Sequence, residues 1–354
     1  MMNEHYVSDT LAGSANQAVF ESDGQPHRAR VYYRLFTGGN APRTLTFSAV
    51  IDSTFDDGSR SRCGDRCAPY DVSDMRVGMV TASDMNIAVM PLETVAVTFG
   101  GASRVTVTPD TPVVTDAFTV DADKGAFLCV EFTYRGTTLP CHEELQIPSF
   151  CEENGVYAPS KHLPVPLMVG VRRPVEKRVA FLGDSITQGI GATPNGYRHW
   201  NALVADAFGE RYAFWNLGIG FARSGDASSD GEWLARAKQN DVVIVCLGTN
   251  DILRGVEAQT VVDNLTVIVR RLKDAGATVL LQSVPPFEYY GENGRRKQRY
   301  INERLATIAD DFFDNTAFLT APDGMPRYGG HPNDEGCAVW AMRLTAWLKE
   351  RGHL

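Results

Sequence analysis

The spacing of apolar residues changes near the middle of the chain. Up to about residue 172 they come in short runs rich in β-branched and aromatic side chains. These are Val31–Phe36, Leu45–Ile51, Met75–Met79, Val95–Phe99, Arg104–Val107, Val113–Val120 and Ala126–Tyr134. Turn residues such as Gly38-Gly39-Asn40 punctuate the runs, and no helical period of useful length intervenes. Short strands at fairly regular intervals predict an all-β sandwich, jelly-roll-like, over residues 1–172. The Asp-, Gly-, Ser- and Arg-rich stretch Asp52–Asp71 reads as a long loop. Pro164-Val165-Pro166 and the basic run from Arg172 to Arg178 read as the connection to a second domain.

From Val179 onward, strand-like and helix-like segments alternate. The predicted strands are Val179–Leu182, Phe214–Leu217, Val242–Leu247, Thr278–Ser283 and Thr316–Leu319. One predicted helix carries Val261, Leu265, Ile268, Val269 and Leu272 on one face, with Thr260 as its N-cap. Another runs from about Arg296 to Phe312, and the last follows Asn333 and buries Val339, Met342 and Leu344 or Trp347. Such alternation gives a parallel sheet with helices on both faces, so residues 173–354 are expected to form an α/β domain.

Composition narrows the partners. The 354 residues are 44% hydrophobic and 22% charged, with a net charge of −9, which disfavours nucleic acid or an anionic membrane as partner. No apolar run nears the roughly 20 residues that span a bilayer, and the N-terminus has no basic region followed by an apolar one. Of seven cysteines, Cys129 and Cys246 lie in apolar runs and read as small core residues, whereas Cys63 and Cys67 form a C-x-x-x-C pair in a polar turn region, with Cys141 and Cys151 further on. Their spacing matches no strong zinc pattern, so they read as reduced thiols of a cytoplasmic protein.

Four stretches at predicted strand ends carry residues suited to acyl-transfer chemistry. Ser185, in Gly183-Asp184-Ser185, follows the first strand; alone it is best read as a helix-capping serine. Gly218-Ile219-Gly220-Phe221 follows the second and offers backbone N–H groups, or an ordinary turn. Asn250, in Gly248-Thr249-Asn250-Asp251, follows the third; its amide can donate to an oxyanion or simply shape a turn, with Asp251 capping the next helix. His331, in Gly330-His331-Pro332-Asn333, precedes the last helix in a Gly/Pro turn that explains it poorly as a core residue and suits a general base. Asp334 reads as a helix N-terminal residue, His199 as structural or surface, and Pro285–Tyr290 equally as a pocket wall or a packed loop.

Together these blocks, in this order and spacing, resemble the signature of the GDSL, or SGNH, hydrolases over residues 178–354. The resemblance implies a flavodoxin-like three-layer αβα domain. The β-sandwich ahead of it is similar to the layout of two-domain carbohydrate acetyl esterases. It further implies Ser185 as nucleophile, His331 as base, and an oxyanion hole from the Ser185 N–H, a main-chain N–H of the Gly218–Phe221 turn and the Asn250 amide, with no metal or organic cofactor. Two positions depart from the family pattern. Tyr328 stands where an Asp usually orients the histidine, which leaves Asp323, a backbone carbonyl or nothing in that role. Phe221 stands at the usual donor glycine, so either the turn has changed conformation or Gly220 donates. Phe221 is also a candidate for lining the pocket and limiting acyl size.

The expected activity is that of a serine esterase removing a short acyl group, acetyl above all, from a carbohydrate. Its substrate would be a small-molecule or oligosaccharide ester, with no nucleic-acid or membrane partner, and homo-oligomers are compatible with the chain. The alternatives are a carbohydrate-binding protein on a degenerate hydrolase scaffold, and a lysophospholipase or thioesterase.

Overall fold

The computed structural model describes residues 6–13, 15–52, 63–319 and 330–354. Contacts divide the chain into two compact units, the first drawn from Met1–Asp52 and Gly64–Val175, the second chiefly from Glu176–Leu354.

In the first unit, alternating side chains build two main antiparallel sheets beside a two-stranded pair, Ala18–Glu21 with Thr138–Cys141. The smaller runs Tyr6–Ser8, Met168–Arg172, Arg43–Phe47, Val113–Val114. The larger runs Val156–Pro159, Ser149–Glu153, His27–Arg34, Phe127–Arg135, Tyr70–Val80, Val95–Ala96, with Arg104–Val107 also on Tyr70–Val80. Period two puts Leu128, Val130 and Phe132 on one face, where Phe132 meets Phe47 of the smaller sheet edge-on at 5.8 Å. A fully buried ion pair, Arg43 Nε to Asp9 Oδ2 at 2.8 Å, ties the smaller sheet to its own first connection. The expected interdomain connection is narrower than its prolines suggest. Met168–Arg172 is a central strand of the smaller sheet, and Leu163, Val165 and Leu167 ahead of it are buried.

The second unit holds a five-stranded parallel sheet in the order Ala213–Gly218, Arg178–Gly183, Val242–Cys246, Thr278–Gln282, Asp311–Phe313. In chain order this is 2-1-3-4-5, the flavodoxin-like winding. Val179 to Leu182 are wholly buried, as continuous apolar strands must be when helices cover both faces. One helical layer pairs Trp200–Phe208 with Asp334–Glu350, where Trp200 and Trp340 stack at 5.0 Å and 9°. In the other, Ala258–Asp274 packs against Gly291–Leu305 and Ser224–Ser228. Ala258–Asp274 buries Val261, Val262, Leu265, Ile268, Val269 and Leu272. Each such burial contributes roughly 1.5–3 kcal/mol, which offsets the backbone entropy lost in ordering the helix.

Four expected details differ. The cap of that helix is Glu257, one turn's start earlier than Thr260. The fifth strand is Asp311–Phe313, not Thr316–Leu319, and the helix before it spans Gly291–Leu305. Phe312 therefore belongs to the strand, which pairs with Leu280–Gln282. In the last helix Val339 and Met342 are exposed, and Trp340, Leu344 and Leu348 face the core.

Candidate active site

In this strand order the winding reverses between the first strand and the third, and it is outside the carboxyl ends of such a strand pair that doubly wound sheets place their ligand crevice. Ser185 and Asn250 sit at those two ends.

The serine is presented by close packing. A Cβ on Gly183 would lie 1.9 Å from Thr187 Oγ1 and 2.6 Å from the Cys246 carbonyl oxygen, so only glycine lets the chain turn there. Asp184 caps the one-turn helix Ser185–Gln188, its Oδ1 accepting the Ile186 N–H at 3.0 Å. Burial, helped by the neighbouring Asp251 carboxylate, pushes the Asp184 carboxyl up to about 7, although the Ile186 N–H pulls the other way. Gly218 admits the same helix from the second strand, since a Cβ there would lie 2.1 Å from the Gln188 nitrogen.

The histidine arrives from the other end of the unit, 146 residues away, and its Nε2 lies 2.7 Å from Ser185 Oγ. This is hydrogen-bond reach for a general base. Three contacts seat its loop. Thr193 donates its N–H and its hydroxyl to Asp334, each at 2.7 Å. Asn333 caps the last helix by accepting the Gly336 N–H at 3.0 Å. Gly191 (φ 99°) faces His331 so closely that a Cβ would lie 2.8 Å from the His331 Cβ.

The turn after the second strand closes with the Ala222 N–H donating to the Ile219 carbonyl at 3.3 Å. Phe221 holds φ 61°, so the left-handed residue of this turn is a phenylalanine, 37% exposed. Asn250 braces the turn by donating Nδ2–H to the Ala222 carbonyl at 3.0 Å, which leaves the second amide hydrogen for a ligand. Asp251 clamps its far end, accepting the Ser224 N–H at 2.9 Å and hydroxyl at 2.7 Å. Burial raises the Asp251 carboxyl despite those two bonds. The N–H groups of Ser185 and Gly220 donate to no acceptor among the described residues.

Residues 181–339 match the GDSL-like Lipase/Acylhydrolase family. A thioesterase 1/protease 1/lysophospholipase L1 of Escherichia coli (strain K12) is 30% identical over 182 residues, covering 49% of this chain and 84% of its own. The chain belongs to this family. An arylesterase of Vibrio mimicus is 28% identical over 181 residues, covering 48% of this chain and 86% of its own. Among solved structures, a family two carbohydrate esterase from Clostridium thermocellum in complex with cellohexaose aligns over 98% of this chain and 99% of its own. Its identity is 13% and its TM-score 0.42. This GDSL-family protein is an ester hydrolase with a serine-type acylhydrolase domain.

Of the residues singled out in the sequence, Ser185 and His331 come into hydrogen-bond contact, and Asn250 reaches the turn that holds Gly220. Asp323 and Tyr328 lie outside the described residues. His199 is fully buried at the start of the Trp200–Phe208 helix, where its Nδ1 contacts Asn201 Oδ1. Asp251 is not a helix cap but the clamp on Ser224. In Pro285–Tyr290, Phe287 and Tyr290 pack inward and Tyr289 stays exposed. The Asp334–Thr193 tie and the ring of Phe287 against His331 had no local signal beyond the glycines that make room for them. All seven cysteines are free thiols. Among the described residues no helix is long and apolar enough to cross a membrane.

Proposed function

We propose that Ser185 is the nucleophile and His331 the general base of an esterase that removes a short acyl group, most specifically acetyl, from a carbohydrate. The observation that carries this reading is the 2.7 Å contact between Ser185 Oγ and His331 Nε2. His331 takes the hydroxyl proton as Oγ attacks the ester carbonyl. The negative charge that develops on the carbonyl oxygen is met by the Ser185 N–H, the Gly220 N–H and the second Asn250 amide hydrogen. His331 then gives its proton to the leaving alcohol, and water hydrolyses the acyl-enzyme by the same base. Support for a short acyl group is the half-exposed Phe221 ring in the oxyanion turn. Support for a carbohydrate is an antiparallel unit ahead of the esterase unit, the layout of two-domain carbohydrate acetyl esterases.

The relative named thioesterase 1/protease 1/lysophospholipase L1 favours a second reading, long-chain acyl esters or thioesters. Hydrolysis of nitrophenyl esters from acetyl to dodecanoyl separates the two, with Ser185→Ala as control. The proposal expects acetyl to be preferred and Ser185→Ala to lose activity on every ester. Equal activity of wild type and Ser185→Ala would remove the nucleophile, and a long-chain optimum would remove the acetyl specificity.

A further inference from the structure

We propose that Phe287 is a positioning residue that holds the His331 imidazole in line with Ser185; this rests on His331 acting as the base. The Phe287 ring stands against the imidazole at 5.6 Å between centroids and 83° between planes, an edge-to-face pair. The ring is itself only 7% exposed and braced by Tyr290 at 5.7 Å. The segment that carries it is anchored at its root. Val284 donates its N–H to Asn302 at 2.8 Å and accepts from Gln298 at 2.9 Å, both on the Gly291–Leu305 helix.

The histidine loop is shaped to receive this ring. Gly330, next to His331, has φ 112°, and a Cβ there would lie 2.4 Å from Phe287 Cδ2. No side chain fits between the loop and the phenylalanine, so imidazole and benzene ring are packed as one unit. Gly191 closes on the His331 Cβ and on the Pro332 carbonyl oxygen in the same way. A general base acts only if its nitrogen stays aimed at the nucleophile while it gains and loses a proton. Phe287 supplies an orientation by packing, from a strand end that is not among the four motif blocks.

The test compares Phe287→Leu, which removes the aromatic face, with Phe287→Tyr, which keeps it. Kinetics with nitrophenyl acetate are read from pH 5 to 9, beside urea unfolding. We expect Phe287→Leu to lower kcat on the order of tenfold or more with KM changed less than about twofold, and to move the acidic limb of the pH profile. Phe287→Tyr should recover most of the loss. The His331 ring protons, assigned through His331→Asn, should also lose an aromatic ring-current shift in Phe287→Leu, which reads the contact directly even if that variant is only partly folded. The proposal is overturned if Phe287→Leu keeps kcat and its pH limb, if the tyrosine variant falls as far as leucine, or if the histidine signals do not move. Loss of activity in Ser185→Ala alongside a fully active Phe287→Leu would sink this inference alone. Full activity of Ser185→Ala would sink the reading beneath it.

Discussion

A phenylalanine at φ 61° is an expensive choice, and its cost can be isolated. For an L-residue the left-handed region costs about 1–2 kcal/mol, through the approach of Cβ to the following carbonyl. Glycine escapes that penalty but brings about 0.5–1 kcal/mol of extra chain entropy in the unfolded state. Phe221→Ala and Phe221→Gly both remove the ring, and they differ only in the Cβ. At an ordinary position alanine is the more stable of the two; here the order should invert, with glycine ahead by about 0.5–1 kcal/mol. All five tryptophans lie between Trp200 and Trp347, so fluorescence-detected urea unfolding reads the esterase unit selectively. If alanine equals or exceeds glycine in midpoint at the same slope, the strain is not stored at residue 221. The ring's own contribution is read separately. Both variants should raise hexanoyl over acetyl ester hydrolysis by about tenfold, and an unchanged ratio would show that the phenylalanine does not limit acyl length.

Three further outcomes follow from the buried polar groups around Ser185. The folded-state pKa of Asp184, about 7, lies above its ordinary value of 3.8. Its contribution is therefore full below about pH 4 and is lost as pH rises towards 7, at no more than ~1.4 kcal/mol per pH unit. Asp184→Asn should flatten that part of the urea-midpoint profile, and parallel profiles for the two proteins would contradict the assignment. Asp251→Ala strips Ser224 of two hydrogen bonds to one buried carboxyl group and should cost about 2–3 kcal/mol. In a double-mutant cycle with Ser224→Ala the losses should not add, and additivity would mean the two do not act as a clamp. Among the described residues the buried Tyr290 hydroxyl makes no hydrogen bond of ordinary length and angle, although it interacts with the Thr249 side chain, so Tyr290→Phe should change stability by no more than about 1 kcal/mol, measured by thermal unfolding. A loss above that size would reveal a bond to the hydroxyl.

Much of the esterase unit was legible because its signals are local. Four strands, Arg178–Gly183, Ala213–Gly218, Val242–Cys246 and Thr278–Gln282, are near-continuous apolar runs, and burial on both faces demands that pattern. The helix Ala258–Asp274 shows its face because five of its six buried residues repeat at helical period. The fifth strand was not legible. Asp311–Phe313 is three residues long and opens on an aspartate, and only pairing with Leu280–Gln282 makes it a strand. The last helix offers two apolar stripes. The stacking of Trp340 on Trp200 selects the one through Leu344 and Leu348 and leaves Val339 and Met342 in solvent. Met168–Arg172 was hidden among prolines, and its place between two strands of the smaller sheet is a long-range fact.

The same division holds at the site. The sequence by itself determined which side chains stand at strand ends, Ser185, Gly220 and Asn250, and which stands in the turn before the last helix, His331, together with the two departures at Phe221 and Tyr328. These follow from residue type and nearest neighbours. Tertiary structure decided that Ser185 and His331 meet at 2.7 Å, that Phe221 keeps the left-handed conformation of the turn, and that Phe287 packs on the imidazole. Those outcomes depend on the 2-1-3-4-5 strand order and on glycines at 183, 191, 218 and 330 that let distant backbone approach. Local propensity carries no information about a partner 146 residues away, because that distance is set by how whole elements pack.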